Sequence, residues 1–425
     1  MPNKHVVIVG CGFGGLECAK KLEGAPVEVT LVDRHNYHLF TPLLYQVATA
    51  LLNPSDIAYP IRKIFRDSPN IRFRQAEVTA VDFDAHVVHV ANGPGIPYDE
   101  LVLATGSTTN YFGNEALADA ALGLKNLEEA LQLRNHILTC LERASAAAAT
   151  GDTEALAGWL TFVVVGGGPT GVEFTGALAE LFHLVLVSEY HNIAPGRVRI
   201  MLIEGSSSLL SAFDDRLGDY AARTLEARGV EVVLSKLVTE AGDDHVLLSD
   251  GEVVRTRTLV WSAGVRPEDP VAADAVLRSR SDRIEVGPDL RVAGHEVVYA
   301  IGDAASVTED GRELPMLSPP AMQAGRYVAS AILGDATGPF RYRDKGTMAT
   351  IGRAAAVAQV GTRIRLTGWL GWVAWLVLHL YYLIGFHNRL QVLAAWGWNY
   401  LHGDRPIRII TRAKGDRTSS SRSAA

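Results

Sequence analysis

The chain has 425 residues, 48% hydrophobic and 20% charged, with a formal net charge of -7, which is enough for two or three globular domains and excludes general disorder. An acidic balance lacks the Lys and Arg excess that neutralises phosphate backbones, so no nucleic-acid partner is expected. Three cysteines, Cys11, Cys18 and Cys140, form neither a C-x-x-C pair nor an even set; a disulfide framework and a bound metal are both set aside, and a reducing compartment is expected.

The N-terminus runs from MPNKH directly into VVIVG, leaving no room for the charged and apolar regions of a signal peptide, so the body of the protein is placed in the cytoplasm. From Lys4 to Asp33 a β-branched run meets a glycine cluster, a helical segment follows, and a second β run ends on an acid. This is a βαβ unit. Gly10 permits the tight turn, Gly12 lets a pyrophosphate approach the backbone, Gly15 allows close helix packing, and Asp33 can accept from ribose hydroxyls. A G-x-G-x-x-G alone is weak, but this one has both flanking strands and an acid 23 residues after Gly10.

ELVLATGS supplies a further strand, ending at Thr105 and Gly106. The low-complexity stretch Arg143 to Gly158 reads as a helix end followed by a mobile connector. The unit then repeats: LTFVVVGGGPTGVEFTGALAEL from Leu160 carries Gly166, Gly168 and Gly171, and RVRIMLIEG ends on Glu204. The gap from Gly166 to Glu204 is 38 residues rather than the usual ~20, which implies a helix extended through HLVLVSEYHNIAPG. If Glu204 closes this unit, an adenosine 2′-phosphate would meet a carboxylate, a repulsion of about 4 kcal/mol at ~4 Å in an effective dielectric near 20. The non-phosphorylated nicotinamide cofactor is then preferred. Glu173, two residues after Gly171 and in the first turn of the helix, either complements the helix dipole or serves chemistry. Asp303, in EVVYAIGDAAS, stands at a strand end among small residues.

Trp369 to Phe386 is an 18-residue, nearly apolar run, and five of the seven tryptophans lie between Trp369 and Trp398. Such clustering suits a membrane interface, and eighteen residues also reach the lower limit for a span. Beyond Tyr400 the tail carries Arg405, Arg408, Arg412, Lys414, Arg417 and Arg422 against Asp404 and Asp416. A single crossing would strand that positive tail outside, so an in-plane anchor with the basic tail near anionic lipid is expected. His379, inside the apolar run, reads as a satisfied interface histidine.

With its repeated βαβ units, ATG strand end and GD motif, the chain resembles the two-dinucleotide-binding-domain flavoproteins. Four stretches sharpen this: HLFTPLLYQVATALLNP from His38, VVVGGGPTGVEFTGALAEL from Val163, LSPPAMQAGRYVA from Leu317, and the pair GTMATIGRAAAV and YLIGFHNRLQVL. With them the chain is similar to the type II NADH dehydrogenases, monotopic non-proton-pumping NADH:quinone oxidoreductases. Two departures stand out: His387 replaces an expected Arg or Lys, and AMQAG varies the usual AQ-containing pattern.

The resemblance implies an α/β fold with two Rossmann-like domains, for FAD and NADH, plus a C-terminal amphipathic membrane-anchoring region. It places FAD on residues 1–112 and 286–342, NADH on 113–285, and the membrane-associating part at 343–425. FAD contacts are then Gly10, Gly12, Gly14, Gly15, Asp33, Val78, Thr105, Gly106, Asp303 and Met322, although by residue type Met322 reads, like Met316 and Met348, as packing. NADH contacts are Gly166, Gly168, Pro169, Thr170, Gly171, Glu204, Ala263 and Gly264. Glu173 would contribute to NADH positioning or quinone protonation, and Gln323 would touch a quinone carbonyl. The expected partners are a membrane quinone, lipid and a second copy of the chain, at the cytoplasmic face of the inner membrane. Lacking a redox cysteine pair, the flavin must pass its electrons directly to a diffusible acceptor. Two alternatives stay open: a ferredoxin-type reductase, whose activity would survive loss of residues 365–425, and an NADH-sensing flavoprotein that recruits a partner.

Overall fold

The structure is a computed structural model describing residues 4–268, 275–361, 363–403, 405 and 407–411. Of the basic tail, Arg405 and Arg408 are included, while Asp404, Arg412, Lys414, Asp416, Arg417 and Arg422 lie outside the described residues. In chain order the strands used below are β1 (Lys4–Val9), β2 (Val27–Asp33), β3 (Ile71–Gln75), β4 (Glu100–Leu103), β5 (Leu122–Gly123), β6 (Thr161–Val165), β7 (Arg199–Glu204), β8 (Val230–Leu234), β9 (Thr258–Trp261), β10 (Val298–Ala300), β11 (Thr347–Gly352), β12 (Ala355–Val360) and β13 (Ile364–Thr367). The helices are α1 (Phe13–Leu22), α2 (Leu44–Ala48), α3 (Leu127–Thr150), α4 (Thr153–Leu160), α5 (Pro169–Glu189), α6 (Ser318–Ile332), α7 (Gly368–Tyr382) and α8 (Phe386–His402).

The chain divides into two compact units, one of residues 1–39, 58–110 and 265–345, the other of residues 40–57, 111–264 and 346–425. The first is built on a parallel sheet of order β10-β4-β1-β2-β3. The second has a parallel sheet of order β5-β9-β6-β7-β8. In each, the strand that precedes the glycine cluster is central, and the chain continues to one neighbour before crossing to the other side. That reversal opens a crevice at the carboxyl ends of the strands. The central strands are buried on both faces, which explains their unbroken apolar runs: every residue of β6 is buried, as are Val6 to Val9 of β1.

Two boundaries differ from those read in the sequence. Phe40–Ile57, which contains α2, belongs with the second unit because Trp396 of α8 donates its indole N–H to the Gln46 side chain at 2.8 Å. Val265–Pro267 belongs with the first unit, since it pairs antiparallel with Ser107–Thr109. Nor is Arg143 to Gly158 a loose connector: α3 runs to Thr150, Gly151 ends it in the left-handed region, and Asp152 caps α4 through the Ala155 amide. The helix of the second unit is long but ends at Glu189, seven residues short of the Gly196 to which the sequence reading carried it.

The C-terminal part begins with the antiparallel strands β11, β12 and β13 and continues into α7 and α8. The apolar run from Trp369 to Phe386 is broken at Leu383–Gly385, where Gly385 has φ 86° and Arg389 binds the carbonyls of Leu383 and Tyr381. Helix α7, 15 residues long, is about 22 Å at ~1.5 Å per residue, short of the ~30 Å of a bilayer core. Among the described residues no helix is long and apolar enough to cross a membrane.

Candidate functional site

In the first unit, α1 starts at the carboxyl end of β1 with Gly12 as N-cap and no side-chain cap, so its first amides are open to an anion. A Cβ at Gly12 would meet nothing within 4 Å, whereas one at Gly15 would lie 1.9 Å from the Gly10 carbonyl. The first glycine therefore keeps a cradle open and the second lets the helix sit on the turn. Gly14 faces Ile301 and the Ala321 carbonyl on the other side, which seats α6 against α1. Asp33 ends β2 and accepts the Cys11 and His35 amides, one on each oxygen, both at 2.7 Å. Burial pushes its carboxyl above the ordinary value, against the pull of those two amides.

The remaining residues expected around FAD gather at the same sheet edge. Ala76, just after β3, donates its amide to the Asp33 carbonyl, which brings the strand beginning at Val78 beside Asp33. Thr105 follows β4 and its hydroxyl is buried without a hydrogen-bond partner. Gly106 comes next with φ +79° and open space around it. Asp303 follows β10 and accepts a hydrogen bond from Ser107. The open helix terminus, the half-used Asp33 oxygens and the orphaned Thr105 hydroxyl fit a dinucleotide of the FAD type. Met322 and Gln323 lie on α6, both half-buried. The Gln323 amide is already engaged: its N–H binds the Arg343 carbonyl and its oxygen the Arg343 amide, each at 3.0 Å.

The second unit repeats this construction. Gly168 is the uncapped N-cap of α5, Pro169 is its first residue, and Thr170 and Gly171 follow with amides free of helix partners. A Cβ at Gly168 would again meet nothing, and one at Gly171 would lie 1.8 Å from the Gly166 carbonyl. Glu204 ends β7 and accepts the Gly167 amide at 2.5 Å and the Ser206 amide at 2.7 Å. Ala263 and Gly264 follow β9, and Ala263 borders Gly166 so closely that a Cβ there would lie 2.8 Å from its Cα. These residues fit a second dinucleotide.

Glu173 is the fifth residue of α5, past the first turn where the sequence places it, and its side chain points inward. Complementing the helix dipole is therefore not what it does. Its Oε1 accepts the Thr350 amide at 3.2 Å and the Trp375 indole N–H at 3.1 Å. Burial pushes its pKa up to about 8, opposed by those two donors. The close approach of α5 and β11 that makes the Thr350 bond possible needs Gly176, one turn further on, where a Cβ would sit 2.3 Å from the Ile351 carbonyl. Tyr45 and Gln46 of α2 lie alongside, with the Tyr45 ring 6.3 Å from that of Trp375 and Gln46 donating to the Tyr45 hydroxyl. Three of the strings that carry the family resemblance, from His38, Val163 and Gly346, thus meet around one carboxyl group.

Trp375 is the residue the sequence reading missed. It was grouped with the interfacial tryptophans, yet it is 1% exposed, while Trp369 on the same helix is 61% exposed. The available signal was its spacing of four from Gly371, the small residue that lets α7 approach β12. Arg405 also departs from expectation: it is wholly buried, binding the carbonyls of Thr49 and Ala177 and the Glu180 carboxylate at 3.2 Å. Arg408 pairs with Glu189. Neither offers its charge freely to a lipid surface. The three cysteines are buried thiols, Cys18 pushed up to about 12 and Cys140 to about 11 by burial, and they are not poised to relay electrons.

Known proteins resemble the chain in sequence and in fold. Residues 4–325 match the family model described as pyridine nucleotide-disulphide oxidoreductase. The type II NADH:quinone oxidoreductase Ndh of Mycobacterium tuberculosis is 38% identical over 429 residues, covering 96% of this chain and 91% of that protein. The mitochondrial internal alternative NAD(P)H-ubiquinone oxidoreductase A1 of Arabidopsis thaliana is 32% identical, covering 95% and 86%. Among solved structures, NDH2 of Plasmodium falciparum in complex with NADH superposes with a TM-score of 0.88 over 95% of this chain and 99% of that one; at 20% identity this likeness speaks for the fold.

Proposed function

The chain belongs to the type II NADH:quinone oxidoreductases, within the pyridine nucleotide-disulphide oxidoreductases, and from that membership and its two nucleotide cradles we infer that it oxidises NADH through bound FAD and reduces a quinone directly, without proton pumping. The observation that carries this reading is the repetition of one construction: a central strand, an uncapped helix over an open glycine, and an acid held by two backbone amides. FAD supplies the redox chemistry when bound, taking hydride from NADH and returning two electrons to quinone.

We assign FAD to the first unit. There the α1 amides would hold its pyrophosphate, Asp33 its ribose, and Thr105, Gly106 and Asp303 its remaining polar groups, with Val78 and Met322 alongside. NADH goes to the second unit, on Gly166, Gly168, Pro169, Thr170, Gly171, Glu204, Ala263 and Gly264. A pKa of about 8 keeps Glu173 mostly protonated at neutral pH, which favours its holding a proton for the reduced quinone over attracting NADH by charge. Both its hydrogen bonds end on Oε1, leaving Oε2 as the proton-bearing atom. Gln323 retains one amide N–H beyond its bonds to Arg343, and that donor is the candidate contact to a quinone carbonyl.

Membrane association fits the outward faces of α7 and α8, where Trp369, Val377, Tyr381, Phe386, Trp398 and Leu401 are all more than half exposed. Lipid would cover that surface and hold the protein in plane on the cytoplasmic side of the inner membrane, and a homodimer would cover part of it. Anaerobic turnover with NADH and a soluble quinone analogue tests the function: one quinol should form per NADH consumed. Electron delivery to an iron–sulfur protein alone, with no quinol, would favour a ferredoxin-type reductase.

A further inference from the structure

We propose that Trp375 is a positioning residue for Glu173: its indole N–H, brought in by the apolar helix α7, fixes the carboxyl so that Oε2 is the oxygen that carries the proton. This rests on the assignment of Glu173 to the quinone step, and the experiments below separate the two claims.

Helix α7 has two unlike faces. Trp369, Leu370, Val377 and Tyr381 are 61 to 68% exposed, while Gly371 and Trp375 are buried. Residues four apart share a face, and a Cβ at Gly371 would lie 2.9 Å from the Ala356 carbonyl. Only a residue without a side chain lets the helix settle this close to β12, and the next turn then delivers the Trp375 indole to the depth of Glu173. The ring is gripped on its flanks: it stacks on His379 at 4.0 Å and 23°, and lies 6.3 Å from the Tyr45 ring and 6.0 Å from that of Trp396.

An indole nitrogen can only donate, so turning Glu173 away would leave a buried donor unpaired. Trp375 and the Thr350 amide thus converge on Oε1, and among the described residues no donor reaches Oε2. The ionisable groups around the carboxyl do not compete for this role. Tyr45 on α2 is kept neutral by burial, His379 on α7 is pushed down to about 4 by burial and is likewise neutral, and Glu180, on α5, is paired with Arg405 and Arg228. Orientation of the acid therefore rests on hydrogen bonds rather than on a cation. The helix whose outer face is suited to lipid is the same helix that holds the acid.

The test uses the full-length, FAD-loaded protein. The infrared carbonyl band of the protonated carboxyl, identified by its loss in Glu173→Gln, is titrated against pH, and flavin reoxidation by a soluble quinone is followed over the same range. An N–H donor favours the anion, so Trp375→Phe should move the infrared midpoint to higher pH by about one unit, a tenfold change in proton affinity. Trp396→Phe, which removes a neighbouring buried indole bound to Gln46 instead, should leave the midpoint in place. A Trp375→Phe protein that is folded and titrates like the wild type overturns the proposal. A midpoint that moves while the pH profile of reoxidation does not upholds the positioning role and overturns the role of Glu173 in the quinone step. Should Trp375→Phe not fold, the wild type still decides: one of its seven indole N–H resonances should titrate with the infrared midpoint and none should do so in Glu173→Gln. Seven resonances indifferent to pH contradict the proposal.

Discussion

Glu204 accepts the Gly167 amide on one carboxylate oxygen and the Ser206 amide on the other, just as Asp33 accepts those of Cys11 and His35. The two amides fix the carboxylate where the second ribose would lie. A 2′-phosphate there would face that carboxylate, a repulsion discounted because the site is partly open to solvent. Replacing Glu204 by Ser should raise the ratio of kcat/KM for NADPH to that for NADH by about tenfold or more, equivalent to ~1.4 kcal/mol. Steady-state kinetics with both cofactors checks this, and an unchanged ratio would show that Glu204 does not read the 2′ position.

Glu173 makes stability depend on pH. Its pKa is about 8 in the fold against an ordinary 4.5 for a glutamate, so the folded protein holds this proton more tightly than the unfolded chain does. The contribution is full below about pH 4.5 and is lost as pH rises through about 8. Glu173→Gln is neutral throughout and lacks that decline. Melting temperatures measured from pH 5 to 9 should therefore show the wild type losing ground to the variant as pH increases; parallel curves would mean that the carboxyl titrates normally.

Arg405 and Arg408 separate a buried ion pair from a surface one. Arg405 is wholly buried against Glu180, whereas Arg408 and Glu189 are 20% and 42% exposed. Arg405→Met leaves the Thr49 and Ala177 carbonyls without their buried donor and takes from Glu180 one of its two arginine partners, and should cost about 2 kcal/mol or more. Arg408→Met should cost less than about 1 kcal/mol. Denaturant unfolding of the two variants measures the difference, and equal losses would contradict the buried pairing.

The nucleotide cradles were legible in the sequence because their chemistry is local: Gly10, Gly12, Gly15 and Asp33 fall within one βαβ unit, as do Gly166, Gly168, Gly171 and Glu204. Apolar runs likewise predicted the buried parallel strands β1 and β6. The surroundings of Glu173 were not legible, because its partners Thr350 and Trp375 lie 177 and 202 residues away and only tertiary packing unites them. Composition also misdirected the reading at two places. A tryptophan in an apolar run looked interfacial although Trp375 turns inward, and an arginine in a basic tail looked solvent-facing although Arg405 fills the interior beside Glu180. Neither pattern encodes which side of its segment faces the protein.

Among the described residues of the tail, Arg405 is buried and Arg408 is paired with Glu189, so this part of the protein should attach to a membrane through apolar contact more than through charge. Phe386 and Leu401 are 76% and 82% exposed, and each would transfer roughly 1.5 kcal/mol or more on burial in lipid. The double variant Phe386→Lys, Leu401→Lys should bind uncharged phosphatidylcholine vesicles at least tenfold more weakly in co-sedimentation, with its flavin spectrum intact. Unaltered binding would place the attachment surface elsewhere.

Direct quinone reduction is tested most directly by anaerobic stopped-flow absorbance. The full-length enzyme, its flavin reduced with one equivalent of NADH, is mixed with a soluble quinone, and the oxidised flavin band is followed. Full recovery of that band within the turnover time, at a rate rising with quinone concentration until it saturates, is the expected result. A flavin that NADH reduces but quinone leaves reduced for many seconds would contradict it.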